Sequence, residues 1–314
     1  MDGPAAVEAL ARAFRADLLG LEPELDKAPR GWKGFAHSGE VKLAGQTIGQ
    51  VAWGGAGQGG WVRVSINGTG CGFVADMDTF SRSVIEAAPE VEHVRVDLAH
   101  DCNDRTVLTP GIADEAWQVG GFNPPNGPRP KRDWKGSNEG GWTYYVGTRG
   151  VSRNFWRVYE KGMKWVGDHG IDAVHPLGAQ AGALEDWVRA ELELTNSAGP
   201  LPLDVIQRRH EYFAGSCPFF ASLVPESEPR RCMVDPVDRA ALSLIQGLDN
   251  LRKQYGPALH TLRHVFGDDR QLLDLITYAC DHSPRLVAGG ALLVAGEDVE
   301  RLKLTRAVQM LSLK

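Results

Sequence analysis

In the run from Asn154 to Glu160 and the lysine after it, a tyrosine stands between two cations at strand spacing, with Arg157, Tyr159 and Lys161 at every second position. Side chains on a strand alternate faces, so these three share one face while Trp156, Val158 and Glu160 point the other way. A phenol flanked by cations is a nucleophile suited to a phosphate, because nearby positive charge favours the phenolate and holds the anion it attacks. Two further stretches repeat the spacing. VRVDLAHD puts Arg95 and Asp97 on one face with Asp101 four residues on, and VRAELEL does the same for Arg189, Glu191 and Glu193. Were the three stretches neighbours in one sheet, a tyrosine, four carboxylates, three arginines and a lysine would share a surface. Packing alone does not account for such a face, since charged side chains are seldom buried unless paired or bound to metal. Taken singly, each residue has a plainer reading: a strand tyrosine usually packs, Tyr144 and Tyr145 are rival phenols, and arginines pair with strand neighbours.

The elements that must position these groups are readable in outline. Trp142 to Gly147 and Asn154 to Glu160 are β-rich runs joined by the basic connector 148–153, and Lys42 to Trp53 and Trp61 to Ile66 also read as strands. Between the last two, GGAGQGG matches G-x-G-x-x-G, but an aromatic and β-branched run follows it where a dinucleotide site needs a helix, so a hairpin loop is expected. Asn67-Gly68 is a turn signal. Helices are expected at Asp78 to Ala88, closed by Pro89, and near Ile112 to Val119. From Gly120, GFNPPNGPRPKRDWKGSNEGG has too much Pro and Gly for regular structure and reads as a surface loop with the cations Arg129, Lys131, Arg132 and Lys135. Asp168 to Ala183 reads as an insertion, Leu203 to Phe213 as helical, and Pro225 to Arg231 as a linker. Beyond it ALSLIQGLDNLRKQYG, ALHTLRHVFG, RQLLDLITYAC and VERLKLTRAVQML follow a helical pattern. The fold expected is α+β, a central, mainly antiparallel sheet with helices packed on it and a C-terminal all-α tail. The division expected is an N-terminal helix (Ala5 to Leu19) and connector over 1–30, a catalytic domain over 31–224, and a linker with helices over 225–314.

Bulk properties narrow the function. A net charge of −6 argues against a generic nucleic-acid coat, whose affinity rests on phosphate neutralisation. The charge is unevenly placed, however: from Arg129 to Lys164 nine cations face three anions, a basic band suited to a directed groove. Five cysteines, without a C-x-x-C pair, read as free thiols in a reducing cytoplasm. No apolar run of membrane-spanning length occurs, and no secretory leader is read, so a cytoplasmic location without membrane contact is expected.

As an ensemble the motifs resemble the replication initiation factor family of filamentous phages and rolling-circle plasmids, often called Rep-trans, and also relaxases of some integrative elements. The resemblance runs from about Gly31 to about Phe220. Its carriers are T-x-Y-x-G-x-R-x-x-S followed by R-x-Y-E-K-G, with R-x-D-L-x-x-D before and W-x-R-x-E-x-E after. It implies an enzyme that nicks and rejoins one DNA strand at an origin, with single-stranded or cruciform origin DNA as substrate and host polymerase and helicase as partners. A homodimer is compatible with it. It also implies that Tyr159, in the R-x-Y-x-K segment, is the nucleophile, aided by Arg157 and Lys161.

A tyrosine conserves the bond energy because its phenol, of pKa about 10, can leave again in the return reaction. Hard ions such as Mg²⁺ or Mn²⁺ choose carboxylates and would polarise the phosphate. Asp97, Glu191, Glu193 and Asp101 are the candidates, and the resemblance favours Asp97 and Glu191. No histidine-hydrophobe-histidine pair exists, so a His-ligated metal is not expected, and His100 reads as structural. Arg149, Arg153, Lys131, Arg132 and Lys135 are candidate DNA contacts. Two other readings stay open: a DNA-binding regulator that does not cut, and a metal-dependent nuclease that uses water.

Overall fold

The computed structural model describes residues 23–277, apart from 59, 87, 89, 125–127, 171, 177, 179–181, 234 and 235, together with 5, 8, 287, 288, 291 and 292; the side chains of 236–246 and 249 fall outside the description. Internal contacts divide the chain into two units: Glu90–Val234, and Met1–Pro89 together with Asp235–Lys314. The N-terminal helix expected over Ala5 to Leu19 lies outside the described residues except for 5 and 8.

In the first part of the chain, β1 (Glu24–Lys27), β2 (His37–Leu43), β3 (Gln46–Trp53) and β4 (Arg63–Ile66) form an antiparallel sheet in sequence order. Val41, Leu43, Ile48 and Val51 pack together and bury Phe80 of α2 (Met77–Glu86), which follows the short α1 (Gly68–Gly72). Three expectations change here. The supposed connector at 22–30 contains β1. The single strand read from Lys42 to Trp53 is a hairpin, because Ala44 and Gly45 both take left-handed backbone (φ 49° and 75°), the conformation a two-residue turn between twisted strands requires. Asn67 caps a helix instead of making a free turn, its side chain accepting from the Gly70 N–H at 2.8 Å.

In Glu90–Val234 the sheet has five strands, β5 (Arg95–Cys102), β6 (Arg132–Ser137), β7 (Gly141–Val146), β8 (Asn154–Glu160) and β9 (Val188–Thr195), in the order β5-β9-β8-β7-β6 and antiparallel throughout. The helices α3 (Pro110–Gln118), α4 (Lys161–His169), α5 (Arg209–Ser216) and α6 (Pro218–Leu223) complete it. One face is apolar and holds the core. Leu98, Val146, Trp156, Val158, Val188, Ala190, Leu192 and Leu194 pack there with Phe122, Phe213, Phe219 and Phe220. Phe122 sits among the rings of Trp156, Phe219 and Phe220 at 5.4–6.0 Å.

Part of the surface loop expected after Gly120 is the edge strand β6, whose six residues are all exposed. Its Gly-rich composition hid a pairing that β7 supplies. The helix expected from Leu203 to Phe213 is a 3₁₀ turn at Leu203–Val205 followed by α5. The linker segment at 225–231 lies against α5: the Arg230 N–H donates to the Glu211 carbonyl, and its guanidinium pairs with the Glu211 carboxylate at 2.9 Å.

The C-terminal region is helical. Two expected helices are one, α7 (Pro236–Phe266), which carries Pro257 inside it, and α8 (Asp269–Ile276) follows. Beyond them β10 (Val287–Ala288) pairs with β11 (Ala291–Leu292), and the helix expected at VERLKLTRAVQML lies outside the described residues. Cys71, Cys102, Cys217 and Cys232 are free thiols.

Candidate active site

Strand pairing decides which residues meet. Asp97 stands opposite Glu193, Asp101 opposite Arg189, Glu191 opposite Arg157, and Tyr159 opposite Arg189 on β9 and Thr143 on β7. With a side-chain period of two, Arg95, Asp97, Asp101, Arg189, Glu191, Glu193, Arg157 and Tyr159 therefore lie on the face opposite the core. The long spacer between α4 and β9 does not displace that alignment. Gly162, at the start of α4, donates its N–H to the Trp187 carbonyl at 2.9 Å, and the backbone of Leu184 lies where its Cβ would be.

At the centre, the hydroxyl of the largely buried Tyr159 donates to Glu191 Oε2 at 3.3 Å, while the Arg157 guanidinium pairs with Glu191 Oε1. Burial pushes the Tyr159 phenol above its ordinary value, and the neighbouring Arg189 and Arg157 pull against that shift. Arg189 is itself held by two hydrogen bonds of 2.7 Å to the Asp101 carboxylate, which also accepts from the Trp187 indole N–H at 2.8 Å. Burial works to raise the Asp101 carboxyl, but Arg189, Trp187 and Lys161 outweigh it and hold it below the usual aspartate range. Of the rival phenols, Tyr144 is fully buried on the core face and burial raises its pKa, whereas Tyr145 shares the polar face and stacks on Phe155 at 5.7 Å.

Lys161 departs from the expected geometry. The strand ends at Glu160, and Lys161 opens α4 instead of continuing the alternation. Its ammonium nevertheless stays beside the site, 5.5 Å from the Trp187 ring centroid and 5.8 Å from that of Trp165. Burial and the cations Arg189 and Lys164 lower its pKa.

The expected DNA contacts separate into two sets. Arg149, in the β7–β8 connector, and Lys131 and Lys135 on β6 or just before it are exposed. Arg132 pairs with Asp114 and stacks 4.2 Å from the Trp117 ring centroid, and Arg153 turns inward to donate to the Pro200 carbonyl at 2.8 Å. Sequence reasoning put Arg95 and Arg189 on the charged face as pairing partners for strand residues, but gave no role to Trp187, whose indole N–H holds Asp101.

The four acids expected to hold a divalent ion are all paired in this structure. Each is engaged by arginine: Asp97 by Arg95, Glu191 by Arg157, Glu193 by Arg95 and Arg149, Asp101 by Arg189. Among the described residues no three His, Cys, Asp or Glu side chains are grouped to hold a metal.

With β5, β9 and β8 side by side, a tyrosine and paired acids thus share one sheet face. The sequence model of the replication initiation factor family matches residues 92–276, more than half of the chain. The chain belongs to that family. No curated protein matches it in sequence. In this initiation factor the match starts three residues before β5, takes in the whole five-stranded sheet and ends at the last residue of α8. Initiation of replication implies DNA as the partner. No helix among the described residues is long and apolar enough to cross a membrane.

Proposed function

We propose that this initiation factor starts rolling-circle replication by nicking one strand of origin DNA with Tyr159. The phenol oxygen attacks the scissile phosphorus as its proton passes to Glu191. The P–O3′ bond breaks, and the departing oxygen takes up a proton to become a 3′-hydroxyl that a polymerase can extend. The 5′ end stays on Tyr159 as a phosphodiester, so the return reaction rejoins the strand by the same steps reversed. Arg157 and Arg189 stabilise negative charge on the phosphate oxygens. The reading is supported above all by the Tyr159 hydroxyl, 3.3 Å from Glu191 Oε2 on the sheet face opposite the larger core cluster.

The test is covalent capture of single-stranded origin oligonucleotides on a denaturing gel. The parent protein should form an adduct, and Tyr159→Phe should bind the DNA yet form none. Adduct formation by Tyr159→Phe at the parental level sinks the assignment. Cleavage without an adduct would point to a nuclease that uses water, and binding without cleavage to a regulator that does not cut.

A further inference from the structure

We propose that Arg95 and Arg149, held from behind by Glu193, form a subsite for a backbone phosphate of single-stranded DNA, separate from the scissile one. The proposal rests on the origin-nicking reading for the identity of the ligand. Glu193 is 3% exposed; its Oε2 forms ion pairs with Arg95 Nη2 and Arg149 Nη2, each at 3.0 Å, and accepts a hydrogen bond from Arg149 Nε at 3.1 Å. The two guanidinium-bearing side chains that converge on it are 42% and 52% exposed. Glu193 is therefore behind and the cations in front, so an incoming ligand meets N–H donors before the Glu193 carboxylate, while the half-buried Asp97 is held by Arg95. Such a surface suits an anion; a cation site needs the reverse order.

The donor inventory agrees. A guanidinium carries five N–H donors, and the bonds here use Nε and Nη2 of each arginine: Arg95 Nε donates to Asp97 Oδ1 at 2.7 Å. Among the described residues Nη1 of neither arginine is engaged. Arg95 also bridges Asp97 and Glu193, two acids that face each other across β5 and β9 and would otherwise repel.

The subsite lies in line with the nucleophile. Glu193 is opposite Phe155 and Tyr159 is opposite Arg189, four residues along the same strands, or about 13 Å at strand spacing. A strand whose scissile phosphate reaches Tyr159 would put a phosphate a few nucleotides away over Arg95 and Arg149.

The experiment measures affinity for single-stranded oligo-dT against NaCl concentration, in the Tyr159→Phe background so that cleavage does not interfere. Each phosphate contact adds about 0.7 to the slope of log affinity against log salt on single strands. Arg95→Ala and Arg149→Ala should each lower the slope by about that amount. Arg208→Ala, which removes an arginine held by Asp204 and Glu211, should leave it unchanged, and Arg149→Lys should restore it. Each alanine variant leaves Glu193 one guanidinium, so the buried acid keeps a partner. Unchanged slopes in both variants, or an equal fall in Arg208→Ala, overturn the subsite. So does calorimetric Mn²⁺ binding to the DNA-free protein that Glu193→Gln abolishes, since Glu193 would then be a metal ligand. Failure of the nicking reading would show in the adduct assay and leave these slopes as they are.

Discussion

A phenol, an acid and two guanidiniums act as a unit here because each limits what the others can do. Glu191 is buried but is shared between Arg157 and Tyr159, so its carboxyl group is not left unpaired. The imidazoles respond to burial differently. Burial lowers the pKa of His93, against a weak contact with the Leu203 carbonyl, and burial with nearby His210 lowers that of His100, against Asp101. The folded protein then binds fewer protons than the unfolded chain, whose histidines titrate near ~6.5, so stability rises with pH through that window and is lost as pH falls below it. The urea midpoint should hold steady above about pH 7.5 and fall between about 6.5 and 5. The double variant His93→Gln/His100→Gln should flatten most of that fall. An unchanged slope would assign the acid sensitivity to other groups. Asp101, whose carboxyl is held low, adds its own loss only below about pH 4.

Among the elements, the junction between β8 and α4 carries the alignment of Tyr159 with Arg189. Gly162 permits it, since a Cβ there would sit 1.5 Å from the Leu184 carbonyl oxygen. A flexible side chain could move aside, but this neighbour is backbone. Gly162→Ala should cost about 1–3 kcal/mol, the usual range for overpacking, and should lower adduct formation more than DNA binding because it separates β8 from the segment leading into β9. Parental stability in a denaturant melt would show that the two segments are not held together there. β6 makes a different point about elements: exposed on every residue and glycine-bearing, it is a strand because β7 pairs with it.

Among the described residues, the two hydrophobic clusters fall one in each unit, and every residue of the larger cluster lies within Glu90–Val234. Residues 90–234 made alone should therefore unfold in one cooperative transition, and a gradual melt without a baseline would show that the core is incomplete. Strand alternation, the charged residues that share a face and the family are legible along the chain, because period-two patterning and motif spacing are local properties. That β9 lies between β5 and β8, and hence that Glu191 meets Tyr159 and Glu193 meets two arginines, comes from the fold. The fold also ends the strand at Glu160 and turns Arg153 inward. Strand order and ion-pair choice depend on residues far apart in sequence, and a carboxylate written beside an arginine in the chain does not reveal whether metal, phosphate or that arginine will be its partner.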